Sequence, residues 1–266
     1  MNDSFTASPH LLEEFTKDTL KIRIYDSEQE LGRASGECVA AAILELQDKD
    51  EVNIFVSIAR SQELMFRTLE KHDLPWEKIN LFQVIEYAGL PPGDKNRLSS
   101  RLRGFFSREI KFKNTFSMDP MAQNSDIECK RYEALLRDHG IDIALLGIGD
   151  NGHLAYNEPH AADFNDPVWV KKIAIDDVSK NQLLSQKSFS SAAEVPDYAY
   201  TVTIPALMSS PKIICTVPSK TKAEACKNAV FFEISETCPA SILRRHADAA
   251  LFLDTESAGL FFNEIL

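Results

Sequence analysis

No stretch of the 266-residue chain approaches the roughly 18 consecutive apolar residues of a membrane-spanning helix. The start, Met1-Asn-Asp-Ser-Phe-Thr6, has neither the basic segment nor the long apolar segment of an export signal. Cysteine is sparse and unpatterned. Cys38, Cys129, Cys215, Cys226 and Cys238 form an odd set without a Cys-x-x-Cys pair or a Cys/His cluster, which argues against a disulfide framework or a zinc site and fits a reducing cytosol. Positive charge is also short: 29 Lys and Arg stand against 40 Asp and Glu, for a formal net charge of −11. Such a balance repels phosphate backbones and anionic lipid, so no nucleic acid and no membrane is expected as a partner. A cytoplasmic location follows as the expectation. The chain has no internal repeat, low-complexity tract or linker, so one domain over residues 1–266 is expected.

What is present is an alternation of element types. Ser27-Glu-Gln-Glu30 has the spacing of a capping box, ahead of an Ala-rich amphipathic helix over 31–46. Apolar runs at 52–57, 78–84, 141–146, 212–217 and 249–254 read as buried strands, with further strands at 168–175 and 200–204. Helices are expected from near Ser61, over 96–107 and 126–138, from about Thr221, and as a short closing element. Residues 108–124 and 186–198 read as irregular. Apolar strands alternating with amphipathic helices predict an α/β fold: a mostly parallel sheet with helices on both faces, Rossmann-like and doubly wound. Ligands of such sheets sit beyond the carboxyl ends of the strands.

One of those strand ends carries unusual chemistry. The run at 141–146 leads into Gly147-Ile-Gly-Asp-Asn-Gly-His-Leu-Ala-Tyr-Asn-Glu-Pro159. Gly147, Gly149 and Gly152 would let backbone N–H groups face a sugar or an anion. His153 is the side chain that can give and take a proton near neutral pH. Glu158 could orient the imidazole if the chain folds back. The Gly-x-Gly-x-x-Gly spacing invites a dinucleotide reading, but no amphipathic helix follows it, so that motif lacks its context. On spacing alone, a plain Gly-rich turn with an exposed histidine remains an equal reading.

The same loop resembles the signature loop of the glucosamine-6-phosphate deaminase/isomerase family, which is related in fold to the 6-phosphogluconolactonases. Phe82-Gln-Val-Ile-Glu-Tyr-Ala-Gly-Leu-Pro91, Tyr198-Ala-Tyr-Thr-Val-Thr-Ile204, Val217-Pro-Ser-Lys-Thr-Lys-Ala223 and Cys238-Pro-Ala-Ser-Ile-Leu-Arg-Arg-His246 resemble further family segments in the same order. The resemblance implies a hexose-phosphate-acting enzyme that converts an amino-sugar phosphate to a ketose phosphate plus ammonia. It makes His153 the acid/base group of ring opening and Glu158 its tuning carboxylate. It places a second acid two residues before the histidine, where this chain has Asn151, with Asp150 one place earlier. It assigns phosphate binding to an early turn containing Ser57, Arg60 and Ser61, to Lys222, and to N–H groups such as those of Gly149 and Gly152. No metal or organic cofactor is implied. The expected partner is a small sugar phosphate, and a homo-oligomer stays open.

At the position where the resemblance expects the aspartate that carries the C2 proton, the chain has Ile85. Isoleucine cannot accept a proton, and three readings compete. Glu86 could replace the base if the register slips by one, although strand alternation would face it the other way. The chain could catalyse a different or partial reaction, such as ring opening, anomer exchange or 6-phosphogluconolactonase-like hydrolysis. Or it could bind a sugar phosphate without chemistry. The cation-rich segment 95–108 reads first as a solvated helix face, with a lid over an anionic substrate as the alternative. Asp176-Asp177 lacks metal-ligand spacing to a nearby histidine and receives no role.

Overall fold

In the computed structural model, which describes residues 9–261, the predicted alternation is present, with several further short strands and helices between its members. The chain begins with a hairpin of β1 (Leu11–Lys17) and β2 (Leu20–Tyr25), then α1 (Glu28–Glu45), β3 (Val52–Val56), α2 (Glu63–Leu69) and β4 (Ile79–Gln83). It continues through β5 (Ile85–Tyr87), α3 (Leu98–Phe105), β6 (Asn114–Phe116), α4 (Ser125–His139), β7 (Ile143–Leu146) and β8 (Val170–Ala174). The last third comprises α5 (Asp177–Ser185), β9 (Tyr198–Val202), α6 (Ile204–Met208), β10 (Lys212–Val217), α7 (Ala223–Phe231) and β11 (Ala249–Asp254). Residues 255–261 form successive turns, and the rest of the expected closing helix lies outside the described residues.

The main sheet has eight strands in the order β1-β2-β11-β10-β7-β3-β4-β6, parallel throughout except for the β1–β2 hairpin. Every residue of β3, β4, β7 and β11 is buried, as expected when both faces of a parallel sheet are covered. Alternation divides the side chains between two cores. Val52, Ile54, Ile143 and Leu145 join Leu31, Met65 and Phe66 from α1 and α2 on one face. Phe55, Ala144 and Leu146 join Tyr132, Leu136 and Val230 from α4 and α7 on the other. The Ser27 hydroxyl accepts the Glu30 N–H at 3.3 Å and caps α1 as its spacing predicts. Among the described residues, no helix is long and apolar enough to cross a membrane.

The strands expected at 168–175 and 200–204 do not join this sheet. They form β8 and β9 of a second, antiparallel sheet in the order β5-β9-β8. Only Val84 separates β4 from β5, and Val84 bonds to both Val56 and Val202 through its backbone. The small sheet is therefore hung from the carboxyl end of the large one, where it flanks the histidine loop.

Candidate active site

Three loops that contain predicted site residues leave three neighbouring parallel strands. Residues 57–62 follow β3, residues 147–158 follow β7, and residues 218–222 follow β10, with β7 between the other two. β3 precedes β7 in the chain and β10 follows it, the arrangement that opens a crevice at the carboxyl ends of an α/β sheet. Gln62, which the sequence did not single out, holds this place together. Its buried side-chain amide donates to the carbonyls of Leu146 (3.2 Å) and Thr216 (3.0 Å), the ends of β7 and β10. A Cβ on Gly147 would stand 3.1 Å from that same nitrogen.

The histidine loop folds back on itself, so His153 and Glu158 meet. Glu158 is fully buried and its Oε2 lies 3.2 Å from His153 Nδ1. Burial works to raise the Glu158 carboxyl. The bond and charge of His153, with hydrogen bonds from Asn151 and Ser179, overcome that and hold it at about 2. An ionised carboxylate at Nδ1 fixes the proton there and leaves the Nε2 lone pair, which has no hydrogen bond among the described residues, for a ligand. The exposed-histidine reading fails, because the residue is only 8% exposed. Gly149 makes room for the ring: a Cβ there would come within 2.2 Å of His153 Cε1. Gly152 has a φ of 86°, and a Cβ on it would meet Cys238 Sγ at 2.8 Å.

Asn151 occupies the centre of the loop. Its Oδ1 accepts the His153 backbone N–H at 3.1 Å, and its Nδ2 donates to Glu158 Oε2 at 2.6 Å and to Asp176 Oδ2 at 2.7 Å. Asp176 caps α5 by accepting the Ser179 N–H at 2.7 Å, and the Ser179 hydroxyl lies 3.2 Å from His153 Nδ1. Sequence inspection missed both residues. The available signal was the Asp-x-x-Ser spacing of a helix start, which reveals a cap but not what else the carboxylate touches.

Asp150 faces away from these hydrogen bonds and toward the turn after β10. Its Oδ1 lies 2.5 Å from Lys222 Nζ, and its N–H donates to Gln182 Oε1 at 2.9 Å. Burial lowers the pKa of Lys222, against the upward pull of Asp150. Ser219, in the same turn, holds a φ of 92°, with its N–H directed at the Asp254 carboxylate. On the β3 side Ser57 is buried, Ser61 is half-buried, and Arg60 is exposed with no ion pair among the described residues.

Glu86 is not placed as a base. It is fully buried, and its two oxygens accept from Tyr87 N, Leu98 N, Ser99 N and Gln83 Nε2 at 2.9–3.2 Å. It thus ties the first N–H groups of α3 to β5. Ile85 points the other way, half-buried against both cores. Its register partner is Thr201, whose hydroxyl accepts the Tyr156 N–H at 3.0 Å, so residue 85 borders the histidine loop. Cavities of about 380 and 680 Å³ lie elsewhere, lined by Arg23 and Tyr25 among others in one case and by Arg103 and Phe106 among others in the other.

Known proteins share this fold. A family profile described as glucosamine-6-phosphate isomerases/6-phosphogluconolactonase matches residues 26–252. A glucosamine-6-phosphate deaminase of Listeria monocytogenes is 31% identical over 211 residues, which cover 79% of this chain and 88% of that protein. A solved monomeric glucosamine-6-phosphate deaminase superposes with a TM-score of 0.82 at 28% identity, covering 90% of this chain and 99% of the other. The 6-phosphogluconolactonase of Thermotoga maritima shares the fold, with a TM-score of 0.70 at 18% identity and 88% and 98% coverage. With the profile spanning most of the sheet and the whole histidine loop, the chain belongs to the glucosamine-6-phosphate isomerase/6-phosphogluconolactonase family.

Proposed function

We propose that the chain acts on a hexose 6-phosphate and uses His153 to open the sugar ring, without the C2 proton transfer that ends in ammonia release. The observation that supports it is the buried His153–Glu158 pair, with the Lys222–Asp150 ion pair on the neighbouring turn. Nε2 takes the proton of the C1 hydroxyl, and the resulting imidazolium, stabilised by the Glu158 carboxylate, returns it to the ring oxygen. Lys222 is the cation for the phosphate, and the anion would compete with Asp150 for it. Arg60, Ser57 and Ser61 complete the phosphate contacts. The N–H groups of Gly149 and Gly152, expected from the sequence to face the ligand, donate instead within the loop to His153 O and Gly149 O at 3.0 Å. Ile85 offers no group to the C2 proton, and the Glu86 carboxylate is committed to the start of α3.

Glucosamine 6-phosphate is the first substrate to test, because the curated relatives are named as its deaminases. The expected result is calorimetric binding and accelerated anomer exchange, with no ammonia and no deuterium entering at C2. His153→Ala should reduce the exchange by about 10²- to 10⁴-fold while binding persists. Ammonia release at an undiminished rate would overturn the assignment of Ile85, and failure to bind would overturn the substrate class.

A second reading has support in the same geometry. Lactone hydrolysis needs one base to activate water and no acceptor at C2, and His153 with Ile85 meets both requirements. Turnover of 6-phosphogluconolactone, lost in His153→Ala, would favour it over ring opening.

A further inference from the structure

The resemblance puts a carboxylate at position 151, where this chain has an amide, and the structure shows why an amide is needed. Both hydrogens of the Asn151 side chain are used, one on Glu158 and one on Asp176, and its oxygen holds the His153 N–H. We propose that Asp176 is a positioning residue of the histidine centre: it carries, from the start of α5, the acidic charge expected at position 151, and acts through the Asn151 amide to fix Glu158 and the imidazole. The inference rests on His153 being the working acid/base group, but its decisive measurements need no substrate.

The physical argument is one of matched pairs. An aspartate at 151 would set its oxygen against Glu158 Oε2 and Asp176 Oδ2, at the 2.6 and 2.7 Å now spanned by N–H donors. Three carboxylates in contact cannot all ionise, so the folded protein would have to hold an extra proton. An asparagine at 176 would oppose one NH2 group to another unless it turned its amide and gave up the α5 cap. Positions 151 and 176 therefore tolerate one acid between them. The charged and titratable groups facing the centre are Glu158 and Tyr156 from its own loop and Asp176 from the start of α5, while the Asp150–Lys222 pair is turned away from it.

The test compares Asn151→Asp, Asp176→Asn and the double variant in the full chain. Two readouts are used: the pH profile of thermal stability from pH 5 to 8, and the ¹⁵N signals of the His153 ring. In Asn151→Asp the crowded carboxyls titrate higher in the folded state than in the unfolded one. Its added stability is therefore present at low pH and is lost as pH rises toward 8. Adding Asp176→Asn should recover at least about half of that loss and return the ring signals toward those of the parent. A simple structural role at the cap would leave the pH profile unmoved. Should Asn151→Asp fail to fold, Asp176→Ser keeps a good cap but removes the charge, and must still shift the ring signals. Additive effects of the two substitutions, or ring signals unchanged in Asp176→Ser, would overturn the inference.

Discussion

At the scale of single residues, the site depends on a few contacts that leave no slack. Gly149→Ala would drive a methyl group to within 2.2 Å of the His153 ring. Displacing an acid/base group by about 1 Å costs roughly 10²-fold in turnover, so this variant should lose activity on that scale in steady-state assays. Ile85→Asp should do the reverse. It places a carboxylate beside the histidine loop, and deuterium uptake at C2 of glucosamine 6-phosphate should rise well above the parent's. Glu158 makes a third expectation. Its folded carboxyl sits at about 2, below the ordinary 4.5, so the folded state binds fewer protons. The stability it contributes is complete above about pH 4.5 and is lost as pH falls toward 2. Glu158→Gln should flatten that acid limb in a series of thermal melts. His153 and Glu158 were legible in the sequence because they lie five positions apart on a loop that had to turn. Asp176 was not, because it meets Asn151 only through the fold, 25 residues on.

At the scale of elements, what separates the legible strands from the misplaced ones is burial on two faces. β3, β4, β7 and β11 are buried at every position and apolar at most of them, which is the mark of a strand inside a parallel sheet. β8 and β9 have strand-like composition too, but no property of a short run says which sheet it joins. The β1 segment, Leu-Leu-Glu-Glu-Phe-Thr-Lys, alternates poorly and exposes Leu11 and Leu12, so the opening hairpin gave little signal. Glu86 shows how an element can absorb a residue that sequence comparison makes a candidate base. Its four donors join β5, α3 and Gln83, and Leu98 and Leu102 of α3 are buried behind it. Glu86→Ala should strip those donors of their acceptor and destabilise the protein by about 3 kcal/mol in urea denaturation. A smaller loss, with activity gone, would instead return Glu86 to the list of catalytic candidates.

At the scale of the whole molecule, the sheet is closed by its ends. β2 lies between β1 and β11, with Lys21 opposite Ala250 and Tyr25 opposite Asp254. A chain truncated before Ala249 would leave β2 and β10 each with an unpaired side. It should be insoluble or lack a cooperative melt, which circular dichroism and sedimentation would show. The same strand order sets a timetable. A ribosome adds roughly 5–20 residues per second, so β2 is made roughly 10 to 45 s before β11, its parallel partner some 230 residues later. Through that interval the β1–β2 hairpin is the local structure β2 can have. β3, β7 and β10 all emerge before β11 does. The newborn chain thus holds all three strands of its site before the strand that joins them to its beginning has been made.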